Sequence, residues 1–186
     1  MKRVLPAATI LLGLLNGPAA LAAEKLQVPQ LPGWKVISNV VDRSGESTEL
    51  IPVGEMPDSW SHRATVQAFR GTPLTASAFL DQVVYKTSQV CDAASAGPSS
   101  LGMVGGREAG SRTVACGRYK GDGKGSLTLY FAIRGKDAFY VVSRAWRGEP
   151  FAQGASPVGA AELTEWVSYM DGVDLCDTRD SQHPCR

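Results

Sequence analysis

The chain has 186 residues, 44% of them hydrophobic, with 19 Lys or Arg against 18 Asp or Glu. That length suffices for one domain with a real core and is small for two. The near-zero charge balance supplies no global pull towards nucleic acid or a membrane surface.

Lys2 and Arg3 precede an uncharged, largely apolar stretch that ends Ala20-Leu21-Ala22. This order of basic region, apolar region and small-residue cut predicts a signal peptide over residues 1–22, cleaved near Ala22. Gly13, Asn16, Gly17 and Pro18 interrupt the stretch, and spanning a bilayer takes about 20 apolar residues. No cysteine near the cut offers a lipid attachment point. The mature chain is therefore expected in the periplasm, or secreted, without a transmembrane segment. Cleavage removes two positive charges and no acid, which turns +1 into −1.

Residues 23–33, with Pro29 and Pro32, read as an extended lead-in. A single domain is expected over residues 34–175, beginning with strands at 34–41, 47–53 and 64–69. Arg43-Ser44-Gly45 supplies a turn between the first two, and Pro52, Gly54, Pro57 and Asp58 punctuate the loop before the third. The spacing of Leu80, Val84, Thr87 and Cys91 predicts a helix over 75–91, capped by the Thr75 hydroxyl, with Cys91 on its buried stripe. Residues 92–110 are small, polar and glycine-rich, and predict a long mobile or partner-binding loop.

Strands follow at 112–119, 127–133 and 139–146. Leu127, Leu129, Phe131 and Ile133 alternate onto one face, and Gly135-Lys136-Asp137 turns the hairpin. Ser156 and Pro157 predict the start of a second helix, Leu163, Trp166, Val167 and Met170 its apolar face, and Gly172 its end. Residues 176–186 form a polar tail. The expected fold is α+β: a mostly antiparallel sheet with two main helices, packed as a layered sandwich.

Four cysteines allow three pairings. Cys91–Cys116 and Cys176–Cys185 is the preferred set, stapling the first helix to a strand and closing the tail. No Cys-x-x-Cys is present and His62 and His183 are the only histidines, so no metal is expected. Gly121-Asp122-Gly123-Lys124-Gly125-Ser126 precedes a strand where a phosphate loop needs a helix. Asp171, Asp174, Asp177 and Asp180 lack the alternation and turn glycine of a calcium loop. No cofactor is expected either.

Residues 107–147 carry nine basic and three acidic side chains. Within that region Trp146 stands between Arg144 and Arg147, and Trp60 ends a loop. Aromatic and arginine side chains dominate binding hot spots, so Trp60, Arg144, Trp146 and Arg147 are the candidate binding residues. The expected role is a non-enzymatic interaction module whose partner is a protein or cell-envelope component and not a nucleic acid. The alternative is a small hydrolase or ligand-modifying enzyme using His62 with a carboxylate brought near by folding.

Asp58-Ser59-Trp60, with residues 64–69, and the stretch 125–147 together resemble a family of small exported proteobacterial proteins with no assigned activity. The layout also resembles the Mog1/PsbP-like sandwich. The resemblance spans residues 47–150, implies export and an α/β/α fold, and brings no catalytic residue.

Overall fold

The computed structural model describes residues 23–185. The expected signal peptide, residues 1–22, lies outside the described residues.

Among the described residues, ten strands and two helices follow one another as β1 (Glu24–Gln27), β2 (Trp34–Val41), β3 (Gly45–Pro52), β4 (His62–Arg70), α1 (Ala76–Val90), β5 (Cys91–Ala96), β6 (Ser100–Val104), β7 (Arg107–Tyr119), β8 (Gly125–Arg134), β9 (Ala138–Gly148), α2 (Ala160–Asp171) and β10 (Asp174–Asp177). Eight strands form an antiparallel sheet in the order β2-β3-β4-β9-β8-β7-β5, with β6 also paired to β7. The lead-in and the tail meet: β1 pairs with β10 as a separate two-stranded sheet, Leu26 opposite Leu175.

Side-chain alternation divides the core in two. Leu127, Leu129 and Ile133 of β8, with Tyr140 and Val142 of β9, point to one face and bury Trp166, Tyr169 and Met170 of α2. The intervening Tyr130 and Ala132, with Phe139 and Val141, point to the other face and meet Ala76 and Phe79 of α1. Each helix covers one face, which makes the α+β sandwich three-layered.

Thr75 caps α1 as expected, its Oγ1 accepting from the Ala78 amide at 3.1 Å. The helix ends at Val90, however, and Cys91 is already extended. Cys91 opens β5 opposite Tyr119 of β7, so its sulfur reaches Cys116 from a strand and not from a helical stripe. Both expected disulfides are formed, Cys91–Cys116 with Cα atoms 5.5 Å apart and Cys176–Cys185 with 4.8 Å.

The expected loop over 92–110 is instead strand. β5 and β6 lie along successive halves of the 13-residue β7, which begins at Arg107 rather than at 112. Apart from the buried Cys91, β5 consists of small and polar residues, and β6 leaves Leu101 and Met103 exposed, so neither strand shows the buried face that marks a half-buried strand.

The second helix also starts later than Ser156 and Pro157 suggest, with Gly159 as its N-cap. The Ser156 hydroxyl donates to the Val158 carbonyl at 2.7 Å and is spent on that turn. Gly172 ends the helix as expected.

Candidate functional site

The loop before β4 is organised by one carboxylate. Glu55 accepts from the amides of Ser61 at 2.7 Å and His62 at 3.2 Å, and from the Ser61 hydroxyl at 2.5 Å. Partial burial pushes the Glu55 carboxyl up, but these donors outweigh it and hold it below its ordinary value. Ser61 in turn accepts from the Arg147 amide through its carbonyl at 2.9 Å, which pins the loop to β9.

This arrangement sets the half-buried Trp60 between two guanidinium groups. Arg63 lies 4.4 Å from the indole centroid and Arg147 5.5 Å, within cation–π range. Arg63 also pairs with Glu49 at 3.5 Å, and Arg147 with Asp122. The Lys124 amide, with Arg147 behind it, holds the Asp122 carboxyl below its ordinary value.

Trp60 and Arg147 are thus brought together, whereas Arg144 and Trp146 are not part of that surface. Residues 144 and 146 share the α2 face of β9 and residue 147 faces the opposite way, so strand alternation splits the Arg-Ala-Trp-Arg run. Trp146 packs at the core margin with its ring 6.1 Å from that of Phe151. Arg144 is buried, with its guanidinium 4.6 Å from the Trp34 ring, 5.3 Å from Tyr169 and 5.7 Å from Trp166. Burial pushes the Arg144 guanidinium below its ordinary pKa, opposed by Tyr169, Glu162 and Glu165. Arg63 is the member of the Trp60 cluster that sequence inspection missed. Its signal was present, since it stands three positions after Trp60, at the start of the strand that pairs with β9.

His62 gains two carboxylate neighbours. Its Nε2 lies 2.9 Å from Glu162 of α2, its Nδ1 2.8 Å from the Ser61 hydroxyl and 3.8 Å from Glu55. A Ser61–His62–Glu162 chain could pass a proton, but the serine has one hydrogen and Glu55 competes for it. Cavities of about 410 Å³ beside β1 and about 420 Å³ beside residues 28–32 are lined by other residues, and His62 borders neither. Among the described residues, no cluster of three or more His, Cys, Asp or Glu is placed to hold a metal ion.

A second polar centre lies where the β1–β10 sheet meets the β8–β9 turn. The fully buried Glu24 carboxylate accepts from the amides of Lys136 and Asp137, both at 2.8 Å, and from Arg107 Nε at 3.2 Å. Gly135 is required here, because a side chain would collide with Glu24 and Tyr140. Asp177 pairs with Arg179 at 2.9 Å and with Arg107 and Lys136 at 3.5 Å.

Hydrogen bonds from Arg179 hold Asp177 far below the ordinary carboxylate value of 3.8. Burial pushes Asp137 up, but donation from the Glu24 amide, Arg179 and the Ala23 amide prevails and lowers it. A carboxylate with a depressed folded pKa stabilises the fold fully above its unfolded value, and that stabilisation is lost as pH falls through the folded value. Stability from urea unfolding is therefore expected to stay level between roughly pH 7 and 5 and to fall from about pH 4 downward. Asp177→Asn should flatten that fall, and an unchanged acid limb in the variant would contradict the assignment.

These features define a three-layer α+β sandwich with an arginine-clamped indole at one end of its sheet and a partly buried ion cluster near the junction of β1 with β10. No family profile matches the chain, and no curated protein does. Solved structures do match, among them LpqN, involved in cell envelope biogenesis of Mycobacterium tuberculosis, with a TM-score of 0.39 and 8% identity over 87% of each chain. A likeness at that level carries no functional argument.

Proposed function

We propose that this is an exported, non-catalytic interaction module that works in the periplasm or outside the cell and binds a protein or envelope component through the Trp60 surface. The observation that carries this reading is the half-exposed indole held between Arg63 and Arg147. An aromatic side chain ordered before binding loses little entropy on contact, and aromatic–arginine clusters are what hot spots are made of. The two disulfides suit an oxidising compartment, and the resemblance to small exported proteins belongs to the same reading.

The test is a photo-crosslinking amino acid placed in cells at position 59, exposed beside the intact Trp60, with position 85 on the exposed face of α1 as control. A discrete adduct is expected from position 59, absent from position 85 and at least tenfold weaker with Trp60→Ala or Arg147→Ala. Equal labelling from both positions, none from position 59, or an adduct unchanged by Trp60→Ala would remove the proposal.

The Ser61–His62–Glu162 contacts favour one second reading, a small hydrolase. Turnover of activated esters that disappears in both Ser61→Ala and His62→Ala would support it, and identical rates in these variants and the native protein would end it.

A further inference from the structure

We infer that processing after Ala22 creates a structural ion pair: the new α-ammonium of Ala23 binds the Asp137 carboxylate and completes the ion cluster around the buried Glu24 and Asp177. The inference rests on the export reading above, narrows the cut expected near Ala22 to one peptide bond and adds its structural use.

The geometry is already in place. The backbone nitrogen of Ala23 lies 2.9 Å from Asp137 Oδ2, and the Glu24 nitrogen lies 3.0 Å from the same oxygen. An amide brings one hydrogen and no charge to that contact. A chain-terminal nitrogen brings three hydrogens and a positive charge, and a charge-assisted bond of this kind is about twice as strong as a neutral one.

Charge counting points the same way. Among the described residues, the cluster joins four carboxylates (Glu24, Asp137, Asp177 and Asp180) to three side-chain cations (Arg107, Lys136 and Arg179). One further cation balances it. Buried acids are tolerated when paired, and Glu24 and Asp177 are both buried. The partly buried Ala23 nitrogen is the remaining donor on Asp137 that can acquire a charge.

The position of the cut follows from the other end of the same residue. The Ala23 carbonyl accepts from the Thr178 amide at 3.0 Å, which extends the pairing of β1 with the chain after β10. A cut one residue later would discard that bond, whereas a cut after Ala22 keeps it and leaves small residues at 20 and 22, as a signal peptidase requires.

The chain beginning at Ala23 can be released from a ubiquitin fusion that leaves no extra residue. It is compared with the same chain carrying Gly-Ser ahead of Ala23, each with and without Asp137→Asn. A free α-amine has a pKa of about 7.7–8.0, and one unit of upward shift reduces its reactive fraction about tenfold. Acylation of the Ala23 amine at neutral pH is therefore expected to be about tenfold slower in the native protein than in urea or in Asp137→Asn.

The Gly-Ser extension should lower Tm by a few degrees when Asp137 is present and leave it unchanged in Asp137→Asn, the non-additivity that marks direct contact. An amine that reacts as fast folded as unfolded, or an extension whose effect is nil or additive, would overturn the ion pair. Terminal sequencing of the exported protein should read Ala23 first. A different first residue overturns the assigned cut, whereas a chain retained in the cytoplasm with residues 1–22 attached overturns the export reading and leaves the amine measurement standing.

Discussion

Trp166→Ala is expected to destabilise the fold by about 3–5 kcal/mol, the usual cost of deleting a buried indole. Trp166 is wholly buried and sits in the centre of the α2 layer, against strand residues that include Leu129 and Val142. The hole would open beside the Arg144 guanidinium, 5.7 Å from the indole and already without a hydrogen-bond partner on Nε. Each kcal/mol moves Tm by roughly 2–4 °C in a chain of this size, so a loss of about 10 °C is expected in calorimetry. Trp166→Phe should cost far less, because the indole Nε1 has no partner either and phenylalanine removes that buried donor. An alanine variant within about 1 kcal/mol of the native protein would mean that α2 does not seal this face.

The second large effect belongs to the disulfides. Cys91–Cys116 closes a loop of 25 positions and Cys176–Cys185 one of 9. Restricting the unfolded chain over those lengths stabilises by about 3.5 and about 2.6 kcal/mol respectively at 25 °C. Cys91→Ala/Cys116→Ala should therefore lower Tm more than Cys176→Ala/Cys185→Ala, by roughly 2–4 °C. The first bond also joins α1 and β5 to β7, the strand against which both β5 and β6 pair, so its loss frees an edge of the sheet as well. Peptide mapping that joins Cys91 to Cys176 or Cys185, or equal losses in the two double variants, would contradict this ordering.

The parts of the fold legible in the sequence are those whose residues speak locally. The Thr75 cap, the 135–137 turn and the alternation at 127–133 each depend on neighbours a few positions away, and each stands where expected. β5 and β6 were illegible because they earn their structure from β7 and bury almost nothing themselves. The start of α2 was misplaced because Ser156 satisfies Val158 instead of the helix.

At the candidate site, Trp60 and Arg147 were visible as residue types in a suggestive setting. Their meeting was not, since it depends on β4 lying beside β9, and Arg63 becomes meaningful only through that pairing. Arg144 misled for the converse reason. An arginine in a basic run reads as surface, and only the placement of Trp34, Trp166 and Tyr169 around it makes it a core cation.

The β1–β10 pair has a consequence for the order in which the chain assembles. Lys25 and Cys176 are 151 positions apart, and closing a flexible loop of that length costs about 4–5 kcal/mol before any contact repays it. Two four-residue strands cannot meet that cost alone. Once the eight-stranded sheet and α2 have formed, both ends are held near each other and the cost has already been met. The small sheet is thus the last element to close. A ribosome or a translocation pore delivers β1 first, and it must wait unpaired until nearly the whole chain has followed. Its wait ends when Leu175 arrives opposite Leu26, and with that step Glu24 enters its buried site.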